Sequence, residues 1–306
     1  MPLRPLAWLL LPLAGLVELA SHAYFAYRPP SVPEWSQVRA EVEQAARPGD
    51  LVVVAPAWAE PIARQALGEG LMPLADVARL GNASYSHALE LSILGQHAGE
   101  FSDWIEIERV ESDKFTLRRL LNPKRVPVVY AFNDHAEPPE LQVIEWNGEA
   151  QHECEYTTKA RSSAGGLGGH VTYPRERYRC SGGDPFLVGL TVIDDKEYRP
   201  RRCIYAHPKA NSWLLLRFLK VPVGKKIGGA GGMSYLIARD GTGLPVEFAV
   251  YIDNKEIGRR LFEDQKGFDP FEFSFEAGER KTVDVTFEIQ SKQTAEREFC
   301  FTAEMR

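Results

Sequence analysis

The sequence contains one long apolar run, near its start, and no other uninterrupted apolar stretch of the length that a membrane span needs. It also lacks a basic excess, because 36 lysines and arginines face 42 aspartates and glutamates and leave a net charge of -6. A nucleic-acid-binding domain presents a basic face to phosphates, so this charge argues against that class. There is no Gly-x-Ser-x-Gly, the signature of a serine-hydrolase nucleophile, and no Cys-x-x-Cys pair of the kind that binds zinc.

The apolar run predicts an export signal. It occupies residues 5–17 and follows a start whose only charged side chain is Arg4, which is the order typical of signal peptides. Ser21 and Ala23 are small residues at the two positions that a signal peptidase inspects, so cleavage after Ala23 is one expectation. An uncleaved membrane anchor that extends to Tyr27 is the second, and a helix buried in the core is the third. The first two predict that the remaining chain is exported: periplasmic, at the cell surface, or anchored to the membrane.

Proline and glycine divide the chain into four segments. Residues 1–27 are the signal peptide or membrane anchor, and the proline-rich residues 28–33 are an extended tether. Residues 34–135 are predicted to form a small α/β domain. Residues 136–306 show short alternating strands with glycine and proline between them, which predicts a β-sandwich with a core at about 202–306. The predicted fold class is therefore α+β.

The α/β prediction depends on a change of period along the chain. Trp35, Val38 and Val42 recur at helical spacing, and residues 51–55 are a continuous β-branched run of the kind found in a strand covered on both faces. A second helix is expected from Pro61 onward. Three more strands are then predicted, at residues 87–93, 104–110 and 115–121.

Parts of this domain carry a family resemblance. Residues 47–58 read Arg-Pro-Gly-Asp-Leu-Val-Val-Val-Ala-Pro-Ala-Trp, and a strand at 85–92 and a hairpin at 115–123 follow them. Together they resemble the extracytoplasmic tail of bacterial membrane glycosyltransferases of the dolichyl-phosphate-mannose-protein mannosyltransferase type. Those transferases share many membrane spans and acidic loop residues that this chain lacks, so no catalytic residue carries over. The resemblance implies an accessory or docking role for the domain.

Two glycine-rich stretches, residues 164–170 and 228–232, are predicted to be loops. A nucleotide-binding loop needs a strand before the glycines and a helix after them, and the neighbouring residues of both stretches indicate β structure instead. The first is expected to be a hairpin loop and the second a loop between sandwich strands.

The C-terminal half also resembles a known family. A strand that ends at Asp253, a Gly267-Phe268 step before another strand, and a closing aromatic strand follow one another between residues 202 and 305. This order resembles the galactose-binding-like jelly-roll of carbohydrate-binding modules. The resemblance implies a sandwich whose ligand is a glycan.

The four cysteines, Cys154, Cys180, Cys203 and Cys300, are expected to form disulfides in an exported protein. Four cysteines allow three pairings, and the spacing does not choose among them. In a jelly-roll of the kind that the chain resembles, the first and last strands commonly run side by side, which implies a Cys203–Cys300 bridge. Cys154 is then left to pair with Cys180. Four reduced, buried thiols are the alternative.

The densest cluster of polar and aromatic residues begins at Tyr198 and supplies the candidate binding site. Sugar sites combine a flat aromatic face with a few fixed polar donors, and arginine suits acidic sugars or phosphates. The candidate binding residues are Arg199, Arg201, Arg202, Tyr205, His207 and Trp213. The alternative is that the aromatics belong to the core and the arginines pair with Asp194, Asp195 and Glu197.

The sequence predicts a non-catalytic envelope protein whose sandwich binds or stabilises a glycan or a glycan-bearing partner. No catalytic residue, metal site or cofactor is expected, because acidic residues are plentiful but no spacing selects a pair for glycoside hydrolysis. A carbohydrate-active enzyme or glycosyltransferase-related accessory protein is the first alternative, and a structural component of a membrane complex is the second. A concave site with at least two acidic residues would favour the enzyme, whereas a shallow aromatic shelf would favour binding.

Overall fold

The structure is a computed structural model that describes residues 4–26, 28–162, 171–183, 185–276 and 278–306. The chain divides into two compact units. The first lies within residues 1–76 and 85–125, and the second within residues 77–84 and 126–306.

The first unit has the helix and strand order that the sequence predicts. Between residues 4 and 125 the elements are α1 (Arg4–Ala26), α2 (Val32–Ala45), β1 (Leu51–Ala55), α3 (Glu60–Leu67), α4 (Leu74–Val77), β2 (His87–Ile93), β3 (Ile105–Ser112) and β4 (Phe115–Leu121). The strands form one sheet in the order β1-β2-β4-β3, in which β1 and β2 are parallel and the other pairs are antiparallel. The predicted small α/β domain is therefore confirmed.

The start of α2 illustrates how local sequence specifies this unit. The Glu34 carboxylate accepts hydrogen bonds from the backbone N–H of Ser31, at 2.5 Å, and from its hydroxyl, at 2.7 Å, so both groups are satisfied at the helix N-terminus. Trp35, Val38 and Val42, one helical turn apart, are all buried. Helix propensity and apolar spacing agree along this segment.

Among the residues described here, no helix has both the length and the apolar character that crossing a membrane requires.

The second unit consists mainly of strands. Its elements are β5 (Tyr130–Ala131), β6 (Leu141–Trp146), β7 (Gln151–Glu153), β8 (Glu155–Thr157), β9 (Arg177–Arg179), β10 (Leu187–Asp194), β11 (Pro200–Ala206), β12 (Trp213–Pro222), β13 (Lys226–Met233), α5 (Tyr235–Asp240), β14 (Val246–Ile252), β15 (Lys255–Phe262), β16 (Asp269–Ser274), β17 (Thr282–Ser291) and β18 (Phe299–Met305).

These strands form two antiparallel sheets that pack as a sandwich. The larger sheet has the order β16-β13-β18-β11-β10-β9-β8, with β5 paired to β18, and the smaller has the order β15-β14-β17-β12-β6-β7. From β12 onward the chain passes repeatedly between the sheets, because β13, β16 and β18 belong to the larger and β14, β15 and β17 to the smaller. This alternation makes the sandwich jelly-roll-like, and the predicted fold class is confirmed.

The glycine-rich residues 228–232 lie inside strand β13, so their prediction as a loop is wrong. β13 is an interior strand, paired with β16 on one side and with β18 on the other. A Cβ atom at Gly231 would lie 2.9 Å from the ring of Phe299 and 3.0 Å from that of Phe262. Glycine is needed because two aromatic rings occupy the space of a side chain. The other glycine-rich stretch, residues 164–170, lies outside the described residues.

The second unit begins before the predicted boundary at residue 136. Tyr130 and Phe132 lie in the hydrophobic core of the sandwich, and the N–H of Val129 donates to the carbonyl of Met305 at 2.8 Å. Residues 77–84 also belong to this unit, since the carbonyl of Ala78 accepts the backbone N–H of Arg202 at 2.8 Å. The apolar pattern before residue 136 is too short to reveal these connections.

Both disulfides lie in the second unit and have the pairing given by the sequence analysis. Cys154 is joined to Cys180, and Cys203 is joined to Cys300. Cys203 on β11 and Cys300 on β18 lie in neighbouring strands of the larger sheet, where Tyr205 of β11 pairs with Cys300.

Candidate functional site

The structure does not bring the six predicted binding residues together. Along β11, Arg202 lies on the same face as Ile204 of the sandwich core, whereas Arg201 and Tyr205 lie on the opposite face, because successive side chains of a strand alternate. Trp213 belongs to β12 in the other sheet. The binding role of each residue stays a prediction.

Tyr205 and His207 are buried, with exposed fractions of 0% and 7%. A carbonyl oxygen can only accept, so the His207 Nε2 donates to Thr294 O at 2.8 Å and its Nδ1 accepts from the Tyr205 hydroxyl at 3.1 Å. Burial raises the pKa of Tyr205 well above its usual value and lowers the pKa of His207. Both side chains are therefore neutral members of the interior.

The arginines of the cluster differ in their partners. The Arg201 Nε donates to the fully buried carboxylate of Asp195 at 2.8 Å, and its Nη1 donates to the carbonyl of Arg79 at 3.1 Å. Arg199 is exposed at the end of the same turn. Arg202 pairs with Asp134 at 2.6 Å. The pairing expected for Arg201 is therefore present, whereas Arg202 finds its acid outside the cluster.

Trp213 lies on the outer face of the smaller sheet, opposite Trp146 of β6. The two rings are tilted by 32° with centroids 4.7 Å apart, and each is partly exposed. Because each ring covers part of the other, the pair offers only limited aromatic surface to a ligand.

Arg202, a member of the predicted set, lines a cavity. The cavity is an open cleft of about 520 Å³ in the second unit. Its lining residues are Asn133, Asp134, Ala136, Glu137, Tyr156, Pro174, Arg175, Glu176, Leu190 and Arg202.

The cleft lies on the inner face of the larger sheet. Leu190 of β10 is two residues from core residue Val188, and Arg202 of β11 is two residues from core residue Ile204. Because side chains two residues apart in a strand point the same way, all four share one face. Tyr156 of β8, residues 174–176 just before β9, and the 3-10 turn Phe132–His135 with the two residues after it supply the remaining walls. The site thus combines two core strands with segments at the edge of the sheet.

Asn133 contributes a buried acceptor to the cleft. Its side chain is oriented by Nδ2, which donates to the backbone carbonyl of Arg202 at 2.9 Å. Asn133 is only 9% exposed, and its Oδ1 has no hydrogen-bond partner among the described residues. Because a buried polar atom is nearly always paired, this oxygen is a position where a ligand or water is expected to donate.

Tyr156 of β8 supplies the aromatic surface of the cleft. Its hydroxyl donates to the Glu137 carboxylate at 3.1 Å, and its ring packs at 4.9 Å against that of Tyr178. Burial, the hydrogen bond to Glu137 and the charges of Glu137 and Glu176 raise the pKa of Tyr156 to about 12. The phenol therefore remains a neutral donor at physiological pH.

Charges of both signs surround the cleft. Asp134, Glu137 and Glu176 are exposed carboxylates, and Arg175 is an exposed guanidinium without an ion-pair partner in the part of the chain that is described. Acids outnumber bases in the lining, so the cleft does not favour an anionic ligand. Nowhere in the described residues do three or more His, Cys, Asp or Glu side chains come together as a metal site.

The Cys154–Cys180 disulfide braces the wall that carries Tyr156. Cys154 directly precedes β8 and Cys180 directly follows β9, so the bridge joins the two strands beyond their short ladder of three residue pairs. Strand β8 is the last in its sheet and pairs only with β9. The disulfide therefore holds Tyr156 in place where backbone pairing is sparse.

A second cavity in the same unit offers fewer polar groups to a ligand. It measures about 470 Å³ and is lined by Leu80, Gly229, Pro270, Phe271, Glu272 and Arg306. Its two charged residues are already paired, Glu272 with Lys226 at 2.8 Å and Arg306 with Glu304 at 2.7 Å. The first cleft is therefore the stronger candidate.

Sequence reasoning missed Asn133, Tyr156 and Arg175. Asn133 precedes the predicted sandwich, and only the fold shows that its side chain enters the unit. Tyr156 and Arg175 lie on either side of the glycine-rich stretch, far from the cluster that drew attention. Their nearness to Cys154 and Cys180 is the one signal that could have suggested a braced site.

No family model and no curated protein matches the chain. Three of the solved structures that match are from Clostridium perfringens. The CBM51-2 of ZmpB in complex with GlcNAc and with the INT domains is 10% identical, over 51% of this chain and 34% of that one, with a TM-score of 0.29. The CBM51 of GH95 in complex with methyl-galactose is 12% identical, over 49% of this chain and 92% of that one, also with a TM-score of 0.29. The M60 catalytic domain of ZmpB with CBM51-1 and CBM51-2 is 10% identical, over 65% of this chain and 22% of that one, with a TM-score of 0.29.

The chain spans about a third of the length of the first of these structures. They are carbohydrate-binding modules, or contain them, but TM-scores this low assign neither a fold nor a ligand to this chain. The resemblance of the α/β domain to mannosyltransferase tails stays a prediction.

Proposed function

We propose that the second unit binds a glycan in the cleft formed by Asn133, Tyr156, Arg175 and Arg202. The observation that carries this proposal is the open cleft itself, which combines side chains of both charges, the aromatic ring of Tyr156 and Asn133, whose buried Oδ1 has no partner among the described residues. A sugar ring carries several hydroxyl groups that each donate and accept, and it has little or no charge. The cleft offers matching acceptors, donors and one aromatic surface.

The arrangement of the groups supports a sugar over other small ligands. Arg175 and Arg202 supply donors, Glu137 and Glu176 supply acceptors, and the ring of Tyr156 supplies a flat face for the C–H groups of a pyranose. An apolar ligand would leave these polar groups without partners. An anionic ligand would meet three carboxylates.

The enzyme alternative is also supported by one observation, because the cleft is concave and contains three carboxylates. A glycosidase requires one of its two carboxyl groups to keep its proton, which burial in an apolar pocket achieves. Asp134, Glu137 and Glu176 are all exposed, and Asp134 is paired with Arg202. Binding without hydrolysis is therefore the function that we propose.

The two disulfides support an exported location, since disulfides persist in oxidising compartments and are rare in the cytosol. We propose that the protein acts in the cell envelope or outside the cell. There the α/β unit would serve as a spacer or docking domain for a glycan-bearing partner.

A glycan array probed with the full chain tests the proposal, followed by titration calorimetry with the strongest ligand. Arg175→Ala is the informative variant, because Arg175 is exposed and has no ion-pair partner among the described residues, so its loss should leave the fold intact. We expect about tenfold weaker binding or more, as for the loss of a charge-assisted hydrogen bond. Arg179→Ala is the matched control, since Arg179 is also exposed but does not line the cleft.

Two results would overturn the cleft as the binding site. One is the absence of any glycan ligand at millimolar sensitivity. The other is a ligand whose affinity is unchanged in both Arg175→Ala and Tyr156→Ala. Turnover of aryl glycosides by the full chain, abolished by Glu137→Gln, would favour the enzyme alternative instead.

A further inference from the structure

The turn between β10 and β11 holds Tyr198 in a fixed position. The buried Asp195 carboxylate accepts the backbone N–H groups of Glu197 and Arg199, both at 2.9 Å, and the Arg201 Nε at 2.8 Å. The N–H of Tyr198 donates to the carbonyl of Asp195 at 2.9 Å. Two backbone N–H groups of the turn and one guanidinium thus converge on a single buried carboxylate, which holds the turn in place.

Tyr198 has a φ of +58°, in the left-handed region that hairpin turns usually reserve for glycine or asparagine. A tyrosine is disfavoured in this conformation because its Cβ crowds the backbone. The sequence thus places a bulky aromatic residue where glycine would be the better choice for folding. Such a residue suggests a role for the side chain itself.

The side chain of Tyr198 forms the outer layer of an aromatic stack. Its ring lies 4.0 Å from that of Tyr235, the first residue of α5, at an angle of 33°, and the Arg239 guanidinium lies 5.9 Å from the Tyr235 ring. Tyr198 is 48% exposed although Tyr235 covers one of its faces, so the other face is open to solvent. The stack fixes the ring and leaves a flat aromatic surface available.

The phenol hydroxyl lies at the edge of this ring. A hydrogen bond with Tyr235 raises the pKa of Tyr198, so the phenol stays neutral. A ligand on the open face would therefore have an aromatic surface beneath it and a hydroxyl group at its edge.

We propose that the open face of Tyr198 is a second carbohydrate site, which stacks a pyranose ring and is separate from the cleft. A pyranose offers a C–H face to the ring and hydroxyls to the phenol oxygen at its edge. A purely apolar ligand would not use that oxygen. Neither Tyr198 nor Tyr235 lines the cleft. The proposal shares with the proposed function the assumption that the ligand is a glycan.

Hydroxyl-radical footprinting of the full chain, read by mass spectrometry, distinguishes the two sites. The probes are the methyl glycosides of glucose, galactose, mannose and N-acetylglucosamine at tens of millimolar. We expect one of them to slow oxidation of Tyr198 about twofold or more, while Tyr251, far from both sites in sequence, reacts as before. Protection of Tyr156 reports the cleft independently.

Each outcome decides one of the two proposals. Protection of Tyr198 alone supports the second site and overturns the cleft, and protection of Tyr156 alone does the reverse. Protection of neither residue overturns both.

Tyr198→Gly is the matching variant, because glycine accepts the positive φ and the fold should not suffer from the loss of strain. We expect its melting temperature to stay close to that of the wild type while its affinity for the protecting glycoside falls about tenfold. Tyr198→Phe, which keeps the ring, should retain most of the affinity. If Tyr198→Gly is less stable but binds as tightly as the wild type, Tyr198 only packs against α5 and the proposal is wrong.

Discussion

The interiors of the two units differ in their aromatic packing. In the sandwich, the ring of Phe248 lies within 6.1 Å of five other phenylalanine rings, those of Phe262, Phe271, Phe287, Phe299 and Phe301. In the α/β unit, the central strands carry Glu90, which is fully buried, and Arg119, which is 3% exposed. The sandwich buries charges too, because Arg297 lies 2.8 Å from Asp264 and both side chains are almost completely buried. Buried ion pairs are therefore common to both units, and the dense packing of aromatic rings distinguishes the sandwich.

The buried charges of the α/β unit are fully paired. Glu90 accepts the N–H of Ala98 at 2.6 Å and contacts the Arg118 guanidinium at 2.5 Å. Arg119 lies 2.5 Å from Asp50, and both side chains are almost completely buried. Removing one member of such a pair leaves an uncompensated charge in the interior, which is far more unfavourable than losing an exposed pair.

The sandwich has covalent reinforcement that the α/β unit lacks. All four cysteines of the sequence lie in the second unit and form its two disulfides. Both units are therefore expected to be sensitive to the loss of a buried ion pair, whereas sensitivity to reduction is expected of the sandwich alone.

The largest expected effect is that of reduction, which should act on the sandwich alone. In the chain-entropy account, closing the loop of 97 residues between Cys203 and Cys300 stabilises the folded sandwich by about 5 kcal/mol. Closing the loop of 26 residues between Cys154 and Cys180 stabilises it by about 3.5 kcal/mol. Dithiothreitol should therefore lower the urea midpoint of the sandwich strongly. Hydrogen exchange in urea, read by mass spectrometry, resolves peptides from each unit.

The α/β unit is the internal control of this experiment, since it contains no cysteine. Its peptides should exchange with the same urea midpoint in the oxidised and reduced protein. If both units lose stability equally on reduction, they unfold as one and the comparison between them fails.

The next largest effect is expected from Arg119→Met. The substitution keeps an unbranched side chain of similar length but leaves the buried Asp50 without its cation, which should destabilise the α/β unit by about 3 to 5 kcal/mol. The readout is the urea midpoint of hydrogen exchange in peptides from β1 and β4. Arg109→Met is the matched control, because the pairs of Arg109 on β3, with Glu106 and Glu111, are exposed. A similar loss in both variants would mean that the burial of the pair does not matter.

A smaller effect is expected when the aromatic packing of the sandwich is disturbed through β13. A Cβ at Gly229 would contact the backbone carbonyl of Thr302 and the ring of Phe271, and backbone cannot move aside as a flexible side chain can. Gly229→Ala should therefore destabilise the sandwich by about 2 to 3 kcal/mol. Urea denaturation followed by the same peptides measures the loss.

Gly228→Ala in the same strand separates crowding from the general effect of alanine. The nearest atoms to a Cβ at Gly228 are 3.6 Å away, which is an ordinary contact distance. We expect this variant to be as stable as the wild type or slightly more so. Equal destabilisation by both substitutions would show that β13 tolerates no side chain on either face.

Most of the fold could be predicted because periodicity reports burial. The continuous run at residues 51–55 became a strand buried at every position, and the alternation at residues 283–289 became the alternately buried β17. The glycines of β13 could not be assigned, since glycine has no side chain and so carries no periodicity. Their role is defined by the rings of Phe262, Phe271 and Phe299, which reach them from distant parts of the sequence.

Much less of the candidate site could be predicted. A local cluster such as that around Tyr205 attracts attention, yet strand alternation sends its members to opposite faces of the sheet. The cleft combines Asn133, Tyr156, Arg175 and Arg202, which come from four separate segments. Only the order of the strands in the larger sheet brings them together, and that order does not follow from local pattern.

The smallest effect, and the one that sharpens the comparison most, is the response of each unit to acid. In the α/β unit, the hydrogen bonds to Lys114 and Ser31 lower the pKa of Glu34 to about 2 from an ordinary 4.5. Above 4.5 the contribution of Glu34 is complete, and it is lost as the pH falls through the folded pKa, because the unfolded chain takes up the proton first. This unit should therefore respond to Glu34 only between about pH 4.5 and about pH 2.

The sandwich should respond at higher pH because of His207. Burial, despite the hydrogen bond to Thr294, lowers the pKa of His207 below its ordinary 6.5, and the nearby charges of Arg297 and Lys209 act in the same direction while Glu298 opposes them. Above 6.5 the ring is neutral in both states. As the pH falls below that value, His207 becomes protonated in the unfolded chain but stays neutral in the folded sandwich. The stability of the sandwich therefore declines until the pH reaches the folded pKa. His207→Gln, which keeps an N–H donor for Thr294, should flatten this decline as the pH falls below about 6.5. Urea unfolding at each pH, followed by a hydrogen-exchange labelling pulse at one fixed pH, measures this decline in stability. An equally steep decline in the variant would show that His207 does not cause it.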